Sequence, residues 1–248
     1  MYENDQQYYL LPNDDLAIIS ESFRNYSRCR FWQSFGESKQ FKILAGRPMF
    51  FHTLNPFINS DKIDEIIVVV PEQAVEQVHN DVFSISSKPI KVVSGGRKRQ
   101  DSVNNGVRAV NSESELICIH DAARPFVTEE LISSSINACE KYDGAVVGFP
   151  CHDTVKLSEK GLIKKTLDRE TIWLAQTPQT FHKNKLIKAI LNAESNGFTG
   201  TDEATLMEAM GFLVALVQGH VNNFKVTTQG DWERAEQLIQ LQNRKDIR

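Results

Sequence analysis

Continuous apolar runs rich in β-branched residues constrain this chain more than any other feature: LAII at Leu16–Ile19, EIIVVV at Glu65–Val70, IKVV at Ile90–Val93, LICI at Leu116–Ile119 and AVVGF at Ala145–Phe149. Because they do not alternate with polar residues, each reads as a strand buried on both faces. Helical patterns fill the gaps between them. Pro48 suits the first turn of a helix over MFFHTLNPFI, which Pro56 is expected to bend or end. Glu72–Asn80 follows Pro71 in the same way, and Ser102–Val110 and Glu129–Lys141 continue the alternation, with Thr128 placed as an N-cap. The order predicts an α/β fold, a doubly wound and mostly parallel sheet with helices on both faces.

The pattern changes over residues 151–176. There DTVKLSEKGLIKKTLDRETIWLAQ contains short mixed strands around the turn-like EKG, which predicts a protruding β-hairpin arm. Helices are then expected at Lys183–Ala193 and Asp202–Met210, with Gly211 as the stop. Strands at Leu213–Val217 and Asn223–Val226 and a final helix from Asp231 follow. One domain over residues 16–243, after a polar lead-in at 1–15, accounts for the length of 248 residues.

Composition removes several classes of function. A net charge of -4 argues against a general nucleic-acid binder. No run approaches the roughly 18 apolar residues of a membrane span, and the acidic N-terminus does not resemble a targeting segment. Cys29, Cys118, Cys139 and Cys151 have no metal-binding spacing, so reduced thiols and a cytoplasmic location are expected.

Ligands of open α/β sheets bind beyond the carboxyl ends of the strands, so the residues just after each strand deserve the closest reading. SGGRKRQDSV follows the third strand. Gly95 and Gly96 allow close approach of backbone amides, Arg97, Lys98 and Arg99 add positive charge, and Ser102 stands near a helix start that favours an anion. A solvated basic turn before a capped helix is the plainer account of the same residues. HDAARPF follows the fourth strand. Asp121 suits Mg²⁺ shared with substrate phosphates, and Arg124 has the fork geometry for a phosphate, or the two form an Asp–Arg pair. His120, with no histidine partner nearby, reads as a ring hydrogen-bonded to backbone.

GGRKRQDSV, HDAARPF, DTVK, LDRETIWLAQTPQTF, TDEA and NNFKVT stand in an order that resembles the 2-C-methyl-D-erythritol 4-phosphate cytidylyltransferase family of the non-mevalonate isoprenoid pathway, over about Lys39 to Ile239. Ribitol-5-phosphate cytidylyltransferases are the runner-up; the alanines at 122 and 123, LDRETIW and TDEA favour the methylerythritol enzymes. The resemblance implies a Rossmann-like fold with a dimerisation arm, CTP and methylerythritol phosphate as substrates, and Mg²⁺ as cofactor. It implies that Lys39 and Lys225 stabilise the transition state. Gly96, Arg99, Ser102 and Asp121 would bind CTP, with Asp121 also the metal ligand. Arg124, Thr154, Arg169, Thr177 and Thr201 would grip methylerythritol phosphate, Arg169 and Thr177 from an arm that crosses to the neighbouring subunit of a homodimer.

The chain departs from the family in one place. The family's first strand leads into a loop approximating PAAGxGxRM and then PKQ, but here SESFRNYSRCRFWQS replaces the loop and Ser38 precedes Lys39. Glycines in such a loop let amides wrap a triphosphate. Arg28 or Arg30 would stand in for the loop arginine. A variant loop, loss of CTP binding in an inactive relative, and a reading-frame disturbance each account for segment 20–35.

Overall fold

The computed structural model describes residues 16–21, 41–83, 85–86 and 88–245. The lead-in at 1–15, Arg28, Cys29, Arg30, Lys39 and all of the atypical segment after its first two residues lie outside the described residues.

Strand β1 (Leu16–Glu21) is followed in the described chain by a small hairpin, β2 (Ile43–Leu44) and β3 (Arg47–Pro48), which turns through Ala45 and Gly46 at positive φ. Helix α1 (Met49–Asn59) runs through Pro56 instead of ending there. Phe50, Leu54 and Phe57 lie on one face and are all buried, so packing outweighs the missing amide hydrogen bond. Strand β4 (Glu65–Val70) leads through a 3₁₀ turn at Glu72–Ala74 into α2 (Val75–Phe83). Then come β5 (Ile90–Ser94), α3 (Arg99–Ala109), β6 (Leu116–Asp121), α4 (Glu129–Ala138) and β7 (Gly144–Pro150). The start of α3 at Arg99 precedes the expected Ser102, because the Asp101 carboxylate accepts the Lys98 amide at 3.0 Å and closes the first turn earlier.

The expected hairpin is present as β8 (Lys156–Glu159) and β9 (Leu162–Thr166), turning at Lys160 and Gly161, both at positive φ. Its span is shorter than 151–176. After a 3₁₀ turn at Arg169–Thr171, Trp173 already begins β10 (Trp173–His182), a strand of the main sheet that the sequence reading did not anticipate. Helices α5 (Lys183–Ser195) and α6 (Glu203–Ala209), strand β11 (Val214–Gln218) and helix α7 (Gln229–Lys245) complete the chain. Asn223–Val226, expected as a strand, is an irregular segment outside the sheet, tied down by bonds described below.

The seven strands of the main sheet lie in the order β11-β7-β10-β6-β1-β4-β5. β10 runs antiparallel to β6 and β7, and the other pairings are parallel. Both faces of the central strands are covered, but β5, expected to be buried on both faces, lies at the sheet edge and is only half-buried. In β4, Ile66, Val68 and Val70 pack with α1, α2 and α4, while Ile67 and Val69 pack with α3, α5 and α6. A smaller cluster joins Leu44, Met49, Ala123, Phe126 and Val226 to Trp232, Ala235 and Ile239 of α7.

Strand order reverses between β1 and β6, since β4 and β5 extend the sheet to one side and β6 and its neighbours to the other. That crevice, at the carboxyl ends of the strands, is where such sheets hold ligands. The ends of β5, β6, β7 and β11 and the beginning of β10 all face it.

Candidate active site

Asp121 is the last residue of β6, and the turn after it is fixed at nearly every backbone group. The Asp121 carbonyl accepts from Arg124 N at 2.9 Å, the Ala122 carbonyl from Thr53 Oγ1 at 2.8 Å, and the Ala123 carbonyl from Val226 N at 2.8 Å. The Arg124 carbonyl meets His120 Nε2 at 3.2 Å, and Asp121 N donates to Thr177 Oγ1 at 3.0 Å. Few buried polar groups are left in the turn to find new partners, so it has little freedom to move.

The Asp121 carboxylate is shared by two cations. Lys225 Nζ lies 3.0 Å from Oδ2 and Arg124 Nε 3.3 Å from the same oxygen. Burial by itself would push this acid up, but Lys225, then Arg124 and more distantly Arg99, outweigh it and hold the carboxyl down at about 2. Asp121 is therefore ionised at neutral pH. Arg124 itself is buried and engaged by each of its nitrogens: Nε with Asp121, Nη1 with the Asn223 carbonyl at 2.8 Å, and Nη2 with the Ala175 carbonyl at 3.4 Å. In this arrangement its fork is filled by protein oxygens. Among the described residues no three His, Cys, Asp or Glu side chains gather to hold a metal. A lone ionised carboxylate still suits Mg²⁺, which takes most of its ligands from phosphate and water.

His120 lies beneath this turn, fully buried against Phe57, with ring centroids 5.0 Å apart. Since Nε2 faces a carbonyl it carries the proton, and Nδ1 accepts from the Thr177 hydroxyl at 2.9 Å. Burial pulls the ring down to about 4. A neutral ring, a hydroxyl and a backbone amide thus run in one direction from Asp121 N to the Arg124 carbonyl, in keeping with the structural reading of His120. Thr177 is buried in β10, inside the sheet and outside the hairpin, and its hydroxyl proton is committed to His120.

The second wall is the Gly95–Ser102 turn. A Cβ on Gly95 would stand 2.8 Å from Ser102 Oγ and one on Gly96 only 2.2 Å from Asp101 Cβ, so glycine is required by close packing on α3. Ser102 Oγ accepts from Gly96 N at 3.0 Å and sits 3.3 Å from the Lys98 carbonyl. Arg99 is clamped by Glu203 of α6, with Nη1–Oε1 at 2.6 Å and Nη2–Oε2 at 2.5 Å. Burial raises the Glu203 carboxyl, and Arg99 acts against that rise.

The remaining expected residues lie further out. Thr154 and Arg169 are exposed at the base of the hairpin, where Arg169 Nη1 donates to the His152 carbonyl at 2.9 Å. Thr201 is exposed next to α6, but the N-cap there is Asp202, whose carboxylate accepts Thr205 N at 3.0 Å. Lys39 lies outside the described residues. The structure brings together Asp121, Arg124, Thr177 and Lys225, and places Gly96, Ser102 and Arg99 on the β5–α3 side. Sequence reasoning missed Glu203, Gln176 and Asn223, each a buried polar residue inside a motif where only a neighbour had been singled out.

A sequence profile of the family described as 2-C-methyl-D-erythritol 4-phosphate cytidylyltransferase matches residues 32–241, and so begins within the atypical segment. The enzyme of that name from Caldanaerobacter subterraneus subsp. tengcongensis is 40% identical over 205 residues, covering 82% of this chain and 90% of its own. That from Halalkalibacterium halodurans is 41% identical over 212 residues, covering 85% and 92%. The crystal structure of 4-diphosphocytidyl-2C-methyl-D-erythritol synthase from Anaerococcus prevotii superposes with a TM-score of 0.80 at 28% identity, covering 92% of this chain and all of that one. With its sheet order, strand-end turns and ordered motifs, this chain belongs to the 2-C-methyl-D-erythritol 4-phosphate cytidylyltransferase family.

Proposed function

We infer that the protein transfers a cytidylyl group from CTP to 2-C-methyl-D-erythritol 4-phosphate and releases pyrophosphate. The observation that carries this reading is the cluster of Asp121, Lys225 and Arg124 at the switch point of the sheet, inside the stretch that matches the family. An oxygen of the sugar phosphate attacks the α-phosphorus of CTP. A new P–O bond forms there, and the bond to the β-phosphate oxygen breaks with its electron pair leaving on pyrophosphate. The attacking monoester has a second pKa of about 6 and is largely ionised at neutral pH, so no general base is needed. The task is to gather anions and to hold charge that spreads over the transition state.

Lys225 supplies a cation beside Asp121, and Lys39 is assigned the matching position on the triphosphate. Gly96 and Ser102, bonded to each other, shape the cytidine side. Arg99, fixed by Glu203, adds positive potential. Asp121 would hold Mg²⁺, which when bound neutralises phosphate oxygens. With Arg124 and Thr177 committed to protein partners in this chain, their contribution to the sugar phosphate is to shape the floor of the site, leaving Thr154, Arg169 and Thr201 as the exposed groups for it. The solvent-facing Leu162 and Ile163 of the hairpin, 71% and 67% exposed, support a homodimer in which the arm reaches a neighbouring site.

Pyrophosphate release from CTP with methylerythritol phosphate, measured with and without Mg²⁺ and with ribitol phosphate in parallel, tests the assignment. Turnover with methylerythritol phosphate alone is expected. Turnover with ribitol phosphate instead moves the chain to the sister activity, and no turnover with either sinks the enzyme reading.

A further inference from the structure

The geometry points to Asn223 as a positioning residue that sets Lys225 opposite Asp121, an inference that rests on the cytidylyltransferase reading above. Asn223 is fully buried, and its side-chain amide donates to two acceptors on β10, Gln176 Oε1 at 3.1 Å and the Thr177 carbonyl at 2.8 Å. Its own carbonyl receives Arg124 Nη1 at 2.8 Å. One residue therefore joins the segment carrying Lys225, the bend of β10 beside the site and the arginine that shares Asp121 with Lys225. Gln176 Nε2 extends the brace to the His220 carbonyl at 3.1 Å.

The brace matters because the segment after β11 has no sheet ladder to fix it. Between Asn223 and α7, Val226 N donates to the Ala123 carbonyl, and further along the Asp231 carboxylate accepts the Thr227 and Thr228 amides. Lys225 is partly exposed, a flexible side chain on a segment outside the sheet, and such a chain finds one carboxylate oxygen reliably only if its backbone is held. Asn223 holds it two residues upstream and Val226 one residue downstream. Asn223 touches none of the reacting groups, so its effect passes through Lys225.

The test compares Asn223→Ala, Gln176→Met, Lys225→Ala and the double variant N223A/K225A with the wild-type chain. Loss of the brace is expected to lower kcat for pyrophosphate release by about 10- to 100-fold, the scale of a misplacement of about 1 Å. The KM for CTP should stay within about twofold, because Gly96 and Ser102 lie on the other wall. The double variant should be no slower than Lys225→Ala, since a residue that acts through Lys225 has nothing left to position once it is gone. Independently of turnover, hydrogen exchange at the Val226 amide should accelerate in Asn223→Ala and Gln176→Met but not in Lys225→Ala. Additive kcat losses in the double variant, or unchanged Val226 exchange in both brace variants, overturn the inference. Gln176→Met and the double variant Q176M/K225A carry the same comparison if Asn223→Ala does not fold. A wild-type chain without activity refutes the cytidylyltransferase reading, while the exchange measurement still decides whether the brace exists.

Discussion

Replacing His120 with glutamine should remove a specific part of the protein's acid sensitivity. The ring is fully buried and held at about 4, against 6.5 for an unperturbed histidine. Its folded pKa is the lower one, so between about pH 6.5 and pH 4 the unfolded chain binds a proton that the folded chain refuses. The stability contributed by the neutral ring is complete above 6.5 and is lost as pH falls toward 4. The shift is worth about 3 kcal/mol in full, and about 2 kcal/mol of it is lost between about pH 7 and pH 5. Asp121, held at about 2 against its usual 3.8, loses its own contribution only below that window. Glutamine can still donate to the Arg124 carbonyl but does not titrate. Urea unfolding followed by circular dichroism, at matched concentration near pH 7, 6 and 5, gives the stability of each protein. Whatever constant cost the substitution carries cancels when the pH dependences are compared. The wild-type chain should lose about 2 kcal/mol more than the variant from pH 7 to pH 5. A difference that stays flat to within about 0.5 kcal/mol would falsify the assignment of a neutral, buried His120 under the turn.

Lys225→Ala should lower kcat by about 100- to 1,000-fold, the range for removing one preorganised charge donor, with only a small loss of melting temperature because the buried Asp121 carboxylate loses one cation but keeps Arg124. Arg124→Ala should behave the opposite way. Asp121 and the Asn223 carbonyl lose a buried partner, and urea unfolding should report a loss of about 3–5 kcal/mol; a loss under about 1 kcal/mol would mean the fork is not structural. Gly96→Ala forces a Cβ against Asp101, so α3 must shift; a raised KM for CTP and about 1–3 kcal/mol of destabilisation are expected in kinetic and unfolding assays. In light scattering the wild-type chain is expected as the proposed homodimer and Leu162→Glu with Ile163→Glu as a monomer; a monomeric wild type would refute the homodimer, and a variant that stays dimeric would remove the hairpin from its interface.

The sheet was legible where burial alone decides conformation. EIIVVV and LICI could be little else than strands covered on both faces, and the turns after β5 and β6 stood where strand ends must place them. β10 was hidden by its own composition. Gln176, Thr177, Pro178, Gln179 and Thr180 lack the apolar signal of a central strand, and a proline argues against one. They are stable there because β6 and β7 flank the strand, His120 and Asp202 accept from the Thr177 and Gln179 side chains, and Asn223 donates to the Gln176 amide oxygen. Asn223–Val226 failed in the reverse sense, as a strand-like run fixed by side chains instead of a ladder. The site was legible as residue types and in its short-range partnerships, the Asp121–Arg124 pair and the backbone bond of His120, but not in its long-range ones. Arg99 and Arg124 looked free for phosphate, but Glu203 lies 104 residues from the first and Asn223 lies 99 from the second. Local sequence gives no sign of pairings at that distance.

The place of β10 between β6 and β7 also sets an order of assembly. β6 can join β1, β4 and β5 as soon as it emerges from the ribosome, but β7 has no neighbour in the sheet until β10 or β11 has been made. The two halves are then closed by non-local pairings, which form slowly. Thr177 and Asn223 arrive later still than Asp121, so the carboxylate exists in the growing chain well before the groups that surround it. Cytidylyl transfer is therefore a property of the finished chain, and its appearance during synthesis or refolding would time the closing of the sheet.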